Sequence, residues 1–139
     1  MYHTIIIVGN VGRDPEMRYT PSGQAVTSFS VASSRNYTGS NGQKVEETIW
    51  FRVSAWGKQA ETCNNYLRKG SKVLVEGRLT PGENGSPRIW NRNDGTAGAS
   101  YEVSASTVRF LSSRNEAGGA PVEEGGAPDT TAAEEDIPF

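Results

Sequence analysis

The sequence predicts an all-β domain: five strands in a small, partly open Greek-key barrel, with one short helix between the third and fourth strands. Three observations predict it. Apolar residues recur with a period of two in several runs of strand length; three-to-four-residue spacing forms an apolar stripe in only one stretch; and Gly, Pro, Asn and Asp clusters punctuate the rest. The chain has 139 residues, of which about 114 suit one domain with a single core.

Taken in order, residues 4–8 form a first strand, Ile5, Ile6, Ile7 and Val8 leading to Gly9, where a missing side chain permits a bulge or bend. Asp14 and Pro15 mark a turn. Residues 24–34 are a second strand with Ala25, Thr27, Phe29 and Val31 on one side. Residues 36–43 have loop chemistry and include one aromatic, Tyr37. The third strand, 45–56, is the most informative. One of its sides carries Ile49, Phe51, Val53 and Ala55; the other carries Trp50, Arg52, Ser54 and Trp56.

Residues 58–69 are the helix: Ala60, Cys63 and Leu67 make its apolar stripe, Arg68 and Lys69 suit the negative end of the dipole, and Gly70 follows as a stop. Residues 71–79 are a fourth strand with Val73, Val75 and Leu79 alternating. Residues 81–100 hold turn signals at Pro81-Gly82, Asn84-Gly85 and Asp94-Gly95 around a basic, Trp-bearing stretch, Arg88 to Arg92, and read as a long hairpin arm. The fifth strand is 101–111. Five strands with a helix after the third is the layout of an OB-fold, whose second and third strands and long loops form a binding face for nucleic acid or sugar.

Charge divides the chain. Residues 1–114 carry all 14 Lys and Arg against nine acids, a net of +5, whereas residues 115–139 carry seven acids and no base; together they give the whole-chain −2. A pI near 5.5 therefore conceals a basic body, the asymmetry of a polyanion-binding domain with a separate acidic arm. From residue 115 the composition turns to Gly, Ala, Pro, Thr and acid. Such a segment cannot build a core and is expected to be disordered, with a coil of that length spanning roughly 25–30 Å.

Trp50 and Trp56 leave two readings open on the strand's pattern alone: core residues of a sheet covered on both sides, or exposed platforms. Two indoles alternating with a guanidinium and a hydroxyl are what unpaired nucleic acid needs, since every base has a π-face and every nucleotide a phosphate. Phe51, on the opposite side, is expected in the core or at a subunit interface. His3 is the single histidine and has no carboxylate or cysteine cluster near it in sequence, so neither a metal site nor a catalytic triad is expected. Cys63 cannot form an internal disulfide and reads as a small buried hydrophobe in a reducing cytosol. No apolar run approaches a membrane span and no signal or transit peptide is read at the start, so a cytoplasmic, nucleoid-associated address is expected. No cofactor is expected.

Taken together, VGNVGRDPEMRY (8–19), WFRVSAWGK (50–58), YLRKGS (66–71), VEGRL (75–79) and the terminal DIPF (136–139) resemble the bacterial single-stranded DNA-binding proteins. The likeness runs from residue 2 to about 112 and resumes in the last four residues. It implies an OB-fold that assembles as a homotetramer, wraps single-stranded DNA, and recruits replication, recombination and repair proteins through its C-terminal tip, Asp136, Ile137, Pro138 and Phe139. By position, Trp50, Trp56 and Trp90 fall where the family places base-stacking aromatics, and Tyr37 where many members have tryptophan. Arg18, Arg52, Lys58 and Lys69 match DNA-contacting cations. In the arm, Arg88 and Arg92 flank Trp90 as further phosphate contacts. The chain departs from the family in Tyr37, which offers less stacking area, and in a longer 81–100 arm.

The leading expectation is thus a non-enzymatic coat for single-stranded DNA. An RNA-binding chaperone on the same fold is the nearest alternative, because the sequence does not say how a 2′-hydroxyl is treated. An OB-fold nuclease is the alternative from another class; it would need clustered carboxylates with a metal or a positioned base, and the body's acids are scattered in sequence.

Overall fold

A computed structural model describes residues 1–112. The predicted tail over 115–139, with Asp136, Ile137, Pro138 and Phe139, lies outside the described residues. In chain order the elements are β1 (Ile5–Val11), β2 (Glu16–Tyr19), β3 (Ala25–Thr38), β4 (Lys44–Trp56), α1 (Lys58–Tyr66), β5 (Lys72–Leu79), β6 (Arg88–Asn91) and β7 (Ala97–Phe110). A single 3₁₀ turn, Glu83–Gly85, precedes β6.

Five of these strands make the barrel, in the order β1-β5-β7-β4-β3. It closes where the end of β1 leaves β5 and pairs with β3, Asn10 opposite Ala32 and Val11 opposite Val31. All barrel pairings are antiparallel except β4 with β7. This is the predicted OB-fold. β2 adds to the edge of β3, from Glu16 opposite Ser28 to Tyr19 opposite Ala25, and β6 adds to the start of β7.

Each barrel strand gives one pleat face to the interior. Ile7, Val11, Phe29, Val31, Val53, Ala55, Val73, Val75, Val103 and Ala105 fill it together with Cys63 and Leu67 from the helical segment. Helix α1 covers one end of the barrel. Its Ala60 and Cys63 are buried, and the buried Thr27 hydroxyl donates to the Ala60 carbonyl at 2.6 Å, so this inward polar group is satisfied. Burial pushes the Cys63 thiol up to about 11, which keeps it protonated and unreactive at neutral pH.

The structure moves several predicted boundaries. The helix ends at Tyr66 and not at Lys69, because Leu67 turns extended (ψ 144) while its side chain stays buried. Arg68 then donates to the Leu67 and Asn64 carbonyls at 2.6 and 3.1 Å, satisfying acceptors that a longer helix would have used. The loop expected over 36–43 is shorter than predicted: β3 runs on through Asn36, Tyr37 and Thr38, and residues 39–43 make the turn into β4, with Gly39 N–H donating to the Gln43 carbonyl at 2.8 Å. β7 begins at Ala97, four residues before the predicted 101. Leu79, expected on the inner face with Val73 and Val75, is exposed at the barrel's mouth, past an irregularity in the β5–β7 register between Glu76 and Gly77. Strand β2, after the Asp14-Pro15 turn, was not anticipated.

Candidate nucleic-acid interface

The register of the sheet assembles the site. Across β2, β3 and β4, Arg18 lies opposite Val26, and Val26 opposite Trp56. The next row on the same side runs Glu16, Ser28, Ser54 and, on β7, Ser104; the row after it runs Ser30, Arg52 and Glu102. Trp50 then lies opposite Ala32. On the arm, Trp90 faces Gly98 and Arg88 faces Ser100, two β7 positions that share a side with Glu102 and Ser104. One continuous side of the sheet therefore presents Trp50, Trp56, Trp90, Arg18, Arg52 and Arg88, separated by serines.

The three indoles rest on the sheet, and none is in the core: their exposures are 54% at Trp50, 40% at Trp56 and 41% at Trp90. Trp50 lies over Gly12 and Trp90 over Gly98; a Cβ at either glycine would run into the ring. Trp56 is fixed instead by its Nε1–H, which donates to the Ser104 hydroxyl at 3.2 Å. Trp50 and Trp56, held from behind and exposed in front, are pre-ordered for stacking, so little rotamer entropy remains to be lost when a flat ligand lands on them.

The cations are less uniform than the sequence suggests. Arg52 is exposed and, among the described residues, makes no ion pair or cation–π contact, although it lies between the two tryptophans of β4. Its row neighbour Glu102 is instead bound to Arg88 at 3.1 Å, which neutralises much of the Arg88 charge in place. Arg92 stacks on Trp90, its guanidinium carbon 5.1 Å from the ring centroid. Lys58 is the first residue of α1, just past Trp56, and Lys69 lies in the turn after the helix, its backbone N–H donating to Asp14 at 2.8 Å. These two sit at the helix-covered end of the barrel and outside the rows of the sheet.

Tyr37 is not on this face. It pairs with Val45 and shares a pleat side with Arg35, Glu47 and Ile49, opposite the side of Trp50. There it takes part in a cluster that sequence reasoning missed. Arg35 lies over the Tyr37 ring at 5.1 Å, its Nε–H donates to Glu47 Oε2 at 2.8 Å, and the Tyr37 hydroxyl donates to Glu47 Oε1 at 3.0 Å. Glu102 and Glu16 were missed as well. The Arg35–Glu47 pairing becomes readable only once the hairpin turn is placed at 39–43, because the turn decides which β4 residue lies opposite Arg35.

With the geometry in place, the sequence profile of the Single-strand binding protein family matches residues 2–111. The chain belongs to the single-strand binding protein family. Among curated relatives, the single-stranded DNA-binding protein of Neisseria meningitidis is 43% identical over 122 residues, covering 87% of this chain and 67% of the relative. That of Helicobacter hepaticus is 40% identical over 114 residues, covering 82% of this chain and 64% of the relative. Among solved structures, a Plasmodium falciparum single-strand binding protein in complex with single-stranded DNA superposes with a TM-score of 0.66 at 25% identity, over 81% of this chain and 97% of that one. A deletion mutant of the Thermus aquaticus single-stranded DNA binding protein gives 0.61 at 30% identity, over 81% and 51%. The chain thus spans about two thirds of the length of the curated relatives and half of the Thermus chain.

Within this family member, the hairpin cluster has an electrostatic signature. Hydrogen bonds from Arg35 first and Tyr37 second hold the Glu47 carboxyl below its ordinary value, and the bond to Glu47, with its charge, holds the Tyr37 phenol above its own. A depressed carboxylate contributes above its unfolded value and loses that contribution as pH falls through the folded one, so the cluster is complete at neutral pH and breaks in acid, and again in alkali where the Tyr37 phenol loses the proton it donates. Glu47→Gln keeps an acceptor but removes the charge. The Tyr37 phenol is then expected to titrate at lower pH than in the parent, followed by ¹³C-tyrosine NMR; an unchanged titration would show that the 3.0 Å bond is absent in solution.

Proposed function

We propose that this chain binds single-stranded DNA without sequence preference, as a non-enzymatic protein that protects exposed strands during replication, recombination and repair. The observation that carries the reading is the single sheet face on which Trp50, Trp56 and Trp90 lie half-exposed among Arg18, Arg52 and Arg88, in a member of the single-strand binding protein family. Bases stack on the indoles, phosphates run past the guanidinium groups, and the serines between them impose no base code. Lys58 and Lys69 extend the cationic track at the helix end, and Arg92 supports Trp90 from one face of its ring. Tyr37 takes a base on the far side of the β3–β4 hairpin. The relatives named for single-stranded DNA, and the Plasmodium structure holding it, favour DNA over RNA.

The test is a tryptophan-fluorescence titration with oligo(dT) at several salt concentrations. Oligo(dT) is expected to quench the parent, and Trp50→Ala and Trp56→Ala to weaken binding by about 1–3 kcal/mol each. The log–log salt dependence is expected at about −0.7 per phosphate contacted. Unquenched fluorescence across the titration would reject the function; a flat salt response would remove the cations from it.

Two further parts of the reading concern assembly and partners. A homotetramer is supported by apolar side chains left uncovered on the single chain: Ile6 and Val8 on the outer side of β1, and Tyr101 beside the half-buried Phe51, ring centroids 6.0 Å apart. Light scattering is expected to give about four times the 15.0 kDa chain mass, and a monomer at micromolar concentration would refute it. The tip, Asp136, Ile137, Pro138 and Phe139, joins an aromatic ring to an acidic run, which suits a partner pocket rimmed by bases. Burial of the ring is worth about 1.5–3 kcal/mol, enough for exchangeable docking of repair and replication proteins in the cytoplasm. Deleting Phe139 is expected to abolish capture of purified partner proteins while oligo(dT) affinity stays as in the parent; loss of DNA binding instead would sink this division of labour.

A further inference from the structure

The β3–β4 hairpin leaves the barrel with a polar cluster on the side away from Trp50, and nothing in the rows of tryptophans accounts for it. Arg35 lies directly opposite Glu47 in the register, and its side chain is 72% exposed. A carboxylate commonly grips an arginine through two parallel bonds. Glu47 does otherwise: one oxygen takes the Arg35 Nε–H at 2.8 Å and the other takes the Tyr37 hydroxyl at 3.0 Å. Both carboxylate oxygens are therefore engaged, while among the described residues nothing bonds the terminal amino groups of Arg35. The Tyr37 ring covers one face of the guanidinium at 5.1 Å. What remains open is the outer edge, beside a shallow cleft of about 100 Å³ lined by Ser33, Ser34, Arg35, Glu47 and Ile49.

On the reading that the chain binds single-stranded DNA, we propose that Arg35 is a phosphate-binding residue and that Glu47 is its positioning residue. A guanidinium fixed through Nε and stacked on a ring presents its two amino groups as a planar fork, the geometry that matches two oxygens of a phosphodiester. Ser33, on the same pleat side one step along β3, adds a hydroxyl beside the fork. The stacked arginine also answers the smaller area of Tyr37, since a base on the open face of the phenol would share the ring with a cation behind it. A strand that uses both Trp50 and Arg35 must pass around the hairpin, because the pleat places them on opposite sides.

The competing reading makes Glu47 a rival that occupies Arg35 and repels phosphate. Oligo(dT) titrations of the full chain at several salt concentrations separate the two. Arg35→Ala is expected to bind roughly two- to fivefold more weakly and to make the salt slope less steep by about 0.7. Arg35→Lys keeps a charge without the fork, so it is expected to restore the slope while falling short of parental affinity. Glu47→Ala is expected to weaken binding, because the guanidinium loses its anchor. An unmoved slope in Arg35→Ala, a lysine variant equal to the parent, or tighter binding by Glu47→Ala would each overturn the assignment. Circular dichroism and thermal melting of each variant confirm that the exposed hairpin substitutions leave the barrel folded. A parent that fails to bind oligo(dT) would reject the underlying reading, whereas normal parental binding with an unmoved Arg35→Ala slope rejects this site alone.

Discussion

The phase of the β4 pleat is the constraint on which the rest of the structure depends. This strand is hydrogen-bonded on both sides, to β3 from Lys44 opposite Thr38 through to Trp56 opposite Val26, and to β7 in parallel from Phe51 to Ser54. A slip of one residue would move Val53 and Ala55, both at 0% exposure, to solvent and drive Trp50, Arg52 and Trp56 inward. Burying an unpaired guanidinium in that core is prohibitive. The core thus enforces the exposed face: the same packing that excludes water from Val53 guarantees that the indoles point outward.

What was legible in the sequence follows from which segments lie half-buried. β3, β4, β5 and β7 were readable where one pleat side enters the barrel, since only there does apolar content alternate, and β1 was readable as an unbroken apolar run, Ile5 to Val8. Beyond residue 34 the hairpin has no core to face, and Asn36, Tyr37 and Thr38 look like loop although their backbone is strand. β2 and β6 are four residues each, too short for a periodic signal. The helix was over-read for the opposite reason: Leu67 keeps the apolar spacing because it is buried, yet its backbone is already extended. The site divides the same way. The faces of Trp50 and Trp56 were visible because they belong to one strand, whereas the Arg35–Tyr37–Glu47 cluster and the Arg88–Glu102 pair depend on cross-strand partners that no single segment specifies.

Those pairs bear on how the proposed binding divides between stacking and charge. Glu102 and Glu16 lie on the same face as the tryptophans, and Glu102 holds Arg88 at 3.1 Å. The face is therefore less positive than its arginines alone suggest, and salt at physiological strength screens exposed charges beyond about 8 Å. Stacking is not screened. At about 1–3 kcal/mol per base, stacking on pre-ordered indoles would supply a salt-resistant component that a polyanion-binding surface built from lysines would lack. Glu102 and Glu47 in turn hold the Arg88 and Arg35 guanidinium groups in place, at the expense of net charge. For the sequence-independent binding proposed above, that exchange is physically coherent. Strong long-range attraction would slow release, whereas stacking on fixed rings acts only at contact and is indifferent to which base arrives.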